Sequence, residues 1–173
     1  AGPGWPGQKD RHRTDAAANL GFAVVTVSDT RDASTDRGGA FLVESVQGAG
    51  HRVVLRELVR DEAAEIAAAA RSACDTEGVD LVLFTGGTGI APRDVTVPTL
   101  EALFDSTIPG FGELFRYLSF QEIGSATILS RATAGMIGNR VVFALPGSPK
   151  ALRLAMDEIV LQEAGHLVSQ ARG

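Results

Sequence analysis

One run of residues in this chain is suited to close approach by a ligand. Gly86-Gly87-Thr88-Gly89 follows directly on the apolar stretch Val79–Phe84. Glycines let a backbone take φ > 0 and come near a bound group, and successive N–H groups in such a turn cradle phosphate oxygens. No Lys-Ser/Thr pair closes the run and the G-x-G-x-x-G spacing is missing, so it is neither a P-loop nor a dinucleotide fingerprint. Taken alone it reads equally as a tight turn. Asp94, five residues beyond Gly89 and next to Arg93, adds a carboxylate, and Asp61 offers a second. Carboxylates beside a glycine turn suit Mg²⁺, which is held by one or two carboxylates together with substrate phosphates. The plainer alternative makes Asp94 a loop residue that caps the next helix and Asp61 an N-cap.

A second turn, Pro146-Gly147-Ser148-Pro149-Lys150, repeats the logic. A strand ends, small residues expose backbone N–H groups, and a helix N-terminus favours an anion. Ser148 adds a hydroxyl and Lys150 a positive charge; plain helix capping by Ser148 is the alternative. The histidines offer no comparable chemistry. His12, His51 and His166 are scattered without metal-ligand spacing, and no Gly-x-Ser-x-Gly elbow occurs, which disfavours an α/β-hydrolase.

The elements that would position these loops follow from hydrophobic pattern. Phe22–Val27 is a continuous β-branched run, the mark of a strand buried on both faces. Phe41, Leu42, Ser45 and Val46 share a helical face that ends at Gly48 and Gly50. Residues 51–59 read as a second strand. A helix runs from Asp61-Glu62 to about Glu77, with Asp61 as N-cap and Ile66, Ala70, Ala73 and Cys74 on one face. Val79–Phe84 is the third strand. A helix over Val97–Phe104 has Thr96 as its cap and Pro98 in its first turn. A further helix covers Phe111–Phe120, short strand-like pieces fall within residues 125–140, and Arg140–Leu145 is another core strand. The last helix carries Leu152, Ala155, Met156, Ile159 and Val160 as its apolar stripe. Cys74 and Met156 are core residues in this reading.

Strands alternating with helices predict a three-layer α/β/α single domain around a mostly parallel sheet, spanning 21–173 behind a flexible tail, 1–20, that includes Trp5. In such sheets ligands bind outside the carboxyl ends of the strands. Ser28 and Asp29 after the first strand, Asp61 after the second, Gly86–Asp94 after the third and Pro146–Lys150 after the last should therefore meet at one edge.

Composition narrows the function. The 173 residues carry 16 Lys and Arg against 21 Asp and Glu, a net charge of −5, with 45% hydrophobic residues. An acidic chain with 6% aromatics argues against nucleic-acid binding, which depends on basic side chains and stacking. A single cysteine excludes an intrachain disulfide and a cysteine zinc site, and fits a reducing cytoplasm. No stretch approaches the about 20 apolar residues of a membrane span, and no apolar segment resembles a secretory signal near residue 1.

Several stretches, in this order, carry a family resemblance: Val27-Ser28-Asp29-Thr30, Asp61-Glu62, Thr85–Gly89, Pro92-Arg93-Asp94-Val95-Thr96, Ile108–Glu113, Leu129-Ser130-Arg131 and Leu145–Pro149. From Gly21 onward the chain resembles the MoaB/Mog family of molybdenum-cofactor biosynthesis proteins. Ser34-Thr35-Asp36 and Gly112–Arg116 look more like the MoaB branch. One departure is Val97, which stands where many Mog-type relatives have the proline found here at Pro98. The resemblance implies an α/β/α fold, assembly as a homotrimer or homohexamer, and binding of molybdopterin, a pterin dithiolene with a terminal phosphate. In catalytic members that phosphate is adenylated by Mg·ATP with release of pyrophosphate. Acidic residues important for this step match Asp61 and Asp94, expected to be catalytic and to hold Mg²⁺. Gly86, Gly87, Thr88 and Gly89 match the phosphate-binding turn. Ser28, Asp29 and Ser148 match pocket positions, with Pro146, Gly147 and Lys150 beside them. A molybdate-insertion enzyme is the implied downstream partner. Two other readings stay open: a non-catalytic pterin-binding protein of the same fold, and a nucleotide-binding regulator that uses the glycine loop.

Overall fold

The computed structural model describes residues 19–173. Most of the tail expected at 1–20, Trp5 included, lies outside the described residues. Six strands form one sheet in the order β2-β1-β3-β6-β5-β4. β1 (Gly21–Val27), β2 (Arg52–Val59), β3 (Leu81–Thr85) and β6 (Arg140–Leu145) are parallel. β5 (Thr133–Ile137) runs antiparallel to β6, and the two-residue β4 (Ser106–Thr107) closes that edge. The unbroken apolar runs sit centrally: all of β1 and β3 is buried. β2 alternates between exposed and half-buried positions at one end of the sheet, where its outer face meets water.

Each face of the sheet has its own core. On one, α1 (Arg37–Gly48), α4 (Pro109–Ile123), α5 (Pro149–Ala155) and α6 (Leu161–Ala171) pack Leu42, Phe115, Leu152 and Val168 against Phe22, Leu83 and Phe143. On the other, α2 (Ala63–Asp75) and α3 (Thr96–Leu103) pack Ile66, Ala70, Ala73 and Leu100 against Val25, Phe84 and Val142. The three-layer α/β/α architecture is as the alternation of elements predicts. A π-helical turn, Met156–Val160, joins α5 to α6, so the expected long last helix is one path with a wider turn in it. Met156 is fully buried within that path. A 3₁₀ turn, Gly124–Leu129, links α4 to β5.

Two expected caps are corrected. α2 starts at Ala63 with Glu62 as its flanking residue, because the chain is still extended there (φ −125°, ψ 128°), so Asp61 stands before the helix and caps nothing. Thr96 is the first residue of α3; Val95 precedes it, and no side chain caps that end. α2 also stops at Asp75, short of Glu77, and α4 extends beyond the Phe111–Phe120 expected of it.

Candidate active site

After β1 the chain crosses to β2 on one side; after β2 it returns past β1 to β3. The direction reverses between β1 and β3, and the loops at their carboxyl ends part to leave a crevice. Main-chain bonds tie the loops there. Ser28 N donates to Val59 O at 2.9 Å and Gly86 N to Leu145 O at 3.0 Å. The Thr85 hydroxyl donates to Pro146 O at 2.8 Å. The predicted gathering of loops at one edge is what the fold builds.

The glycine turn is shaped by its surroundings. Gly86 has φ +103°, and a Cβ there would overlap Val27 O of the neighbouring strand. Gly87 has φ +69°, and a Cβ there would overlap the Thr96 hydroxyl and lie 3.3 Å from Asp61 Oδ1. Only glycine meets both demands. Thr96 is fully buried and its hydroxyl has no hydrogen-bond partner among the described residues. Asp61 and α3 therefore close on Gly87 from two sides.

Asp61 is half-buried, and its N–H donates to Asp29 Oδ1 at 3.0 Å. Its carboxyl is held above the usual carboxylate range, first by loss of solvent and then by the negative charge of Asp29. Asp94 adds repulsion, whereas a backbone hydrogen bond from Asp29 and the charge of Arg93 act the other way. Asp94 folds back on its own loop, its Oδ2 accepting from Ala91 N at 3.0 Å. A Cβ on Gly89 would lie 2.8 Å from that oxygen. Asp29, Asp61 and Asp94 thus form an acidic side to the turn.

The other side is basic. A cleft of about 550 Å³ opens between the ends of β1 and β3, the start of α1 and the β6–α5 turn. Arg31, Arg37, Ser34 and Thr35 line it, with Ser28, Gly86 and Gly147 of the expected set. Asp36 anchors this wall. It is buried, takes the Thr26 hydroxyl at 2.8 Å and Gly39 N at 2.9 Å, and meets Arg56 at 3.3 Å. Arg31 Nη1 donates to Thr35 O at 2.9 Å, which folds the loop over.

The remaining expected residues fall at the margin. Ser148 caps α5, its Oγ accepting from Ala151 N at 3.2 Å, so the capping alternative describes it. Lys150 is exposed on the first turn of α5 and does not line the cleft. Thr88 is buried, and its carbonyl accepts from Arg131 N at 2.9 Å. Arg31, Arg37 and Arg131 were missed as site residues. Arg131 grips Gly89 O through Nε (2.9 Å) and Nη2 (2.7 Å), and Asp94 O through Nη2 (2.8 Å). The signal for Arg31 and Arg37 was available: Arg31 lies within the polar loop after β1 and Arg37 ends it. Arg131 lies 37 positions from Asp94, so only folding reveals its part.

Cys74 is half-buried against the α2-side core, and burial pushes its thiol up to about 11, which rules out a resting thiolate. His51 Nδ1 accepts from Leu20 N at 3.0 Å and burial lowers its pKa, so it is a neutral structural residue.

The family model described as "Probable molybdopterin binding domain" matches residues 23–166. The chain belongs to the MoaB/Mog family of molybdenum-cofactor biosynthesis proteins. It is 46% identical over 157 residues to molybdenum cofactor biosynthesis protein B of Bacillus cereus, covering 90% of this chain and 93% of the relative. The Bacillus subtilis protein of the same name is 44% identical over 162 residues, covering 93% and 95%. A crystal structure of a molybdenum cofactor biosynthesis protein B superposes with a TM-score of 0.88 at 46% identity, covering 91% of this chain and 98% of that one. The tungsten cofactor synthesizing protein MoaB from Pyrococcus furiosus gives 0.82 at 38% identity, covering 91% and 100%. The MoaB/Mog resemblance read from the motifs is thereby shown. Among the described residues no helix is long and apolar enough to cross a membrane.

Proposed function

We propose that this family member acts in molybdenum-cofactor biosynthesis by transferring the adenylyl group of ATP to the terminal phosphate of molybdopterin, with Mg²⁺. One observation carries the reading: an acidic cluster and a basic cleft meet across a single glycine turn at the switch point of the sheet. Two anionic substrates need both. Arg31 and Arg37 neutralise one anion in the cleft, and the N–H groups of the turn receive phosphate oxygens.

The acidic side fits Mg²⁺. Loss of solvent and then the negative charge of Asp29, with Asp94, raise Asp61, and a bound cation would favour its ionised form. Among the described residues no three His, Cys, Asp or Glu side chains are placed to hold a metal by themselves. Two carboxylates completed by substrate phosphates are the donor set that remains, and this is how Mg²⁺ is commonly bound. Asp94 and Asp61 would hold it; when bound, the ion offsets repulsion between phosphates and stabilises the leaving pyrophosphate.

In the proposed step a pterin phosphate oxygen bonds to the α-phosphorus of ATP. The bond from that phosphorus to the bridging oxygen of the β-phosphate breaks, and pyrophosphate leaves with its electron pair. A phosphate monoester nucleophile is already ionised at neutral pH, so no strong base is required. The residues contribute alignment and charge compensation. Asp94→Ala should depress turnover far more than pterin binding, measured by single-turnover kinetics beside equilibrium titration. Equal loss of both would remove Asp94 from its role as a metal-holding catalytic residue.

One observation favours a second reading, pterin binding without chemistry: Asp94 Oδ2 is committed to Ala91 N within its own loop. Six apolar side chains on α4 and the turn after it are exposed, Leu114, Tyr117, Phe120, Ile123, Ile128 and Leu129. They support assembly into a homotrimer or homohexamer. ATP, Mg²⁺ and a product destined for a molybdate-insertion enzyme are consistent with work in the cytoplasm.

A further inference from the structure

The opposite pole of the sheet holds a second cavity that the proposed reaction does not use. Where β1, β3 and β6 begin, a depression of about 470 Å³ is lined by Arg52, Arg140 and Arg172 with Asp80, Asn139 and Asn19. Three guanidinium groups therefore face one carboxylate, in a chain whose net charge is −5. That carboxylate is committed at both oxygens. Asp80 Oδ2 accepts from Gly21 N at 2.9 Å, and Oδ1 pairs with Arg172.

The other two arginines meet only neutral hydrogen-bond partners among the described residues. Arg52 donates to Asn19 Oδ1 at 3.2 Å, to Asn19 O, and to Gly78 O at 3.3 Å. Arg140 donates to Asn139 Oδ1, and its Nε is buried with no partner. Carbonyls and amides orient a guanidinium without compensating its charge. Fixed, uncompensated forks match the oxygens of a phosphoryl group. Among the described residues no aromatic side chain lines the cavity to stack a base.

We propose that this cavity binds a compact phosphoryl anion of the pyrophosphate class, at a site separate from the crevice at the carboxyl edge. Arg52 and Arg140 supply the uncompensated charge, and Arg172 turns from Asp80 toward the ligand or shares it. With no ring in the described lining, the inorganic anion is favoured over a nucleoside phosphate.

The test is an amide NMR titration of the full chain with sodium pyrophosphate, without Mg²⁺ and at constant ionic strength, with ATP as a parallel arm. Saturable shifts at Gly78, Asp80 and Asn139 are expected, with weaker binding for ATP. The Arg52→Gln/Arg140→Gln variant should bind at least about tenfold more weakly. Arg140→Gln alone should weaken binding measurably, which covers a double variant that folds poorly. Asp94→Ala, at the far edge, should leave the midpoint unchanged, whatever becomes of the adenylation reading. Shifts confined to residues 28–38 and 86–94, shifts linear in concentration, an unchanged midpoint in both arginine variants, or tighter binding of ATP than of pyrophosphate read at Gly78, Asp80 and Asn139 would each overturn the assignment.

Discussion

Replacing Gly87 by Ala tests whether the turn is built around Thr96. The residue has φ +69°, which costs a non-glycine residue about 1–2 kcal/mol. The added methyl would also overlap the Thr96 hydroxyl, which is buried and cannot swing into solvent. Overpacking of that kind costs about 1–3 kcal/mol. The single variant should therefore lose about 2–5 kcal/mol. Thr96→Ala alone should change little, because it removes a buried hydroxyl without a partner while leaving a small void. In the double variant the overlap with the hydroxyl is gone; the φ penalty remains, with the milder contacts at 3.2 Å from the Cβ of residue 96 and 3.3 Å from Asp61 Oδ1. The cycle should show about 1–2 kcal/mol of favourable coupling. Urea unfolding of the four proteins measures it, with equal m-values as the control. Additive losses, or a Gly87→Ala protein as stable as the parent, would refute the account of the turn.

Three other outcomes follow from the same geometry. Arg131→Gln removes the guanidinium bonds to Gly89 O and Asp94 O while keeping the main-chain bond to Thr88. Hydrogen exchange at Ala91 N should speed up and turnover should fall by up to about a hundredfold, with pterin affinity nearly kept; unchanged exchange would show that the loop holds itself. Asp61→Asn should raise stability at neutral pH. A carboxyl whose folded pKa lies above its unfolded value weakens the fold as pH rises through that range, and the penalty vanishes below the ordinary aspartate value of 3.8. The gain in urea midpoint should accordingly disappear in acid, and Mg²⁺ should stabilise the parent more than the variant; a gain independent of pH would contradict the charge argument. Asp36→Ala should cost about 3 kcal/mol in chemical denaturation, because the Thr26 hydroxyl and Gly39 N lose a charged acceptor in the interior. A loss under about 1 kcal/mol would mean that water replaces the carboxylate there.

Much of this was legible in the residues. The runs Phe22–Val27 and Arg140–Leu145 identify central strands because a strand buried on both faces carries no polar alternation. From the alternation of strands and helices the carboxyl edge follows, and so does the meeting of Asp29, Asp61, Gly86 and Asp94. The details that escaped are tertiary. Asp61 has the composition of an N-cap, yet the chain stays extended through Glu62 so that the Asp61 N–H can reach Asp29. Thr96 has cap chemistry too, but its hydroxyl is enclosed under Gly87. The antiparallel edge of β4 and β5 is short, and Gly135 receives the Phe104 ring against its backbone, a contact no local pattern records. Arg131, Arg52 and Arg172 act across long separations, where a sequence shows a charge but not its partner.

In the proposed reaction the acidic side and the basic cleft act together on two anions. Pyrophosphate release from Mg·ATP, with and without molybdopterin, tests it most directly when the parent chain is compared with Asp94→Ala. Release that requires the pterin and is abolished in the variant is the predicted result. No release from the parent, with the pterin still bound tightly, would contradict the claim and leave a pterin-binding protein whose aspartates only shape the turn.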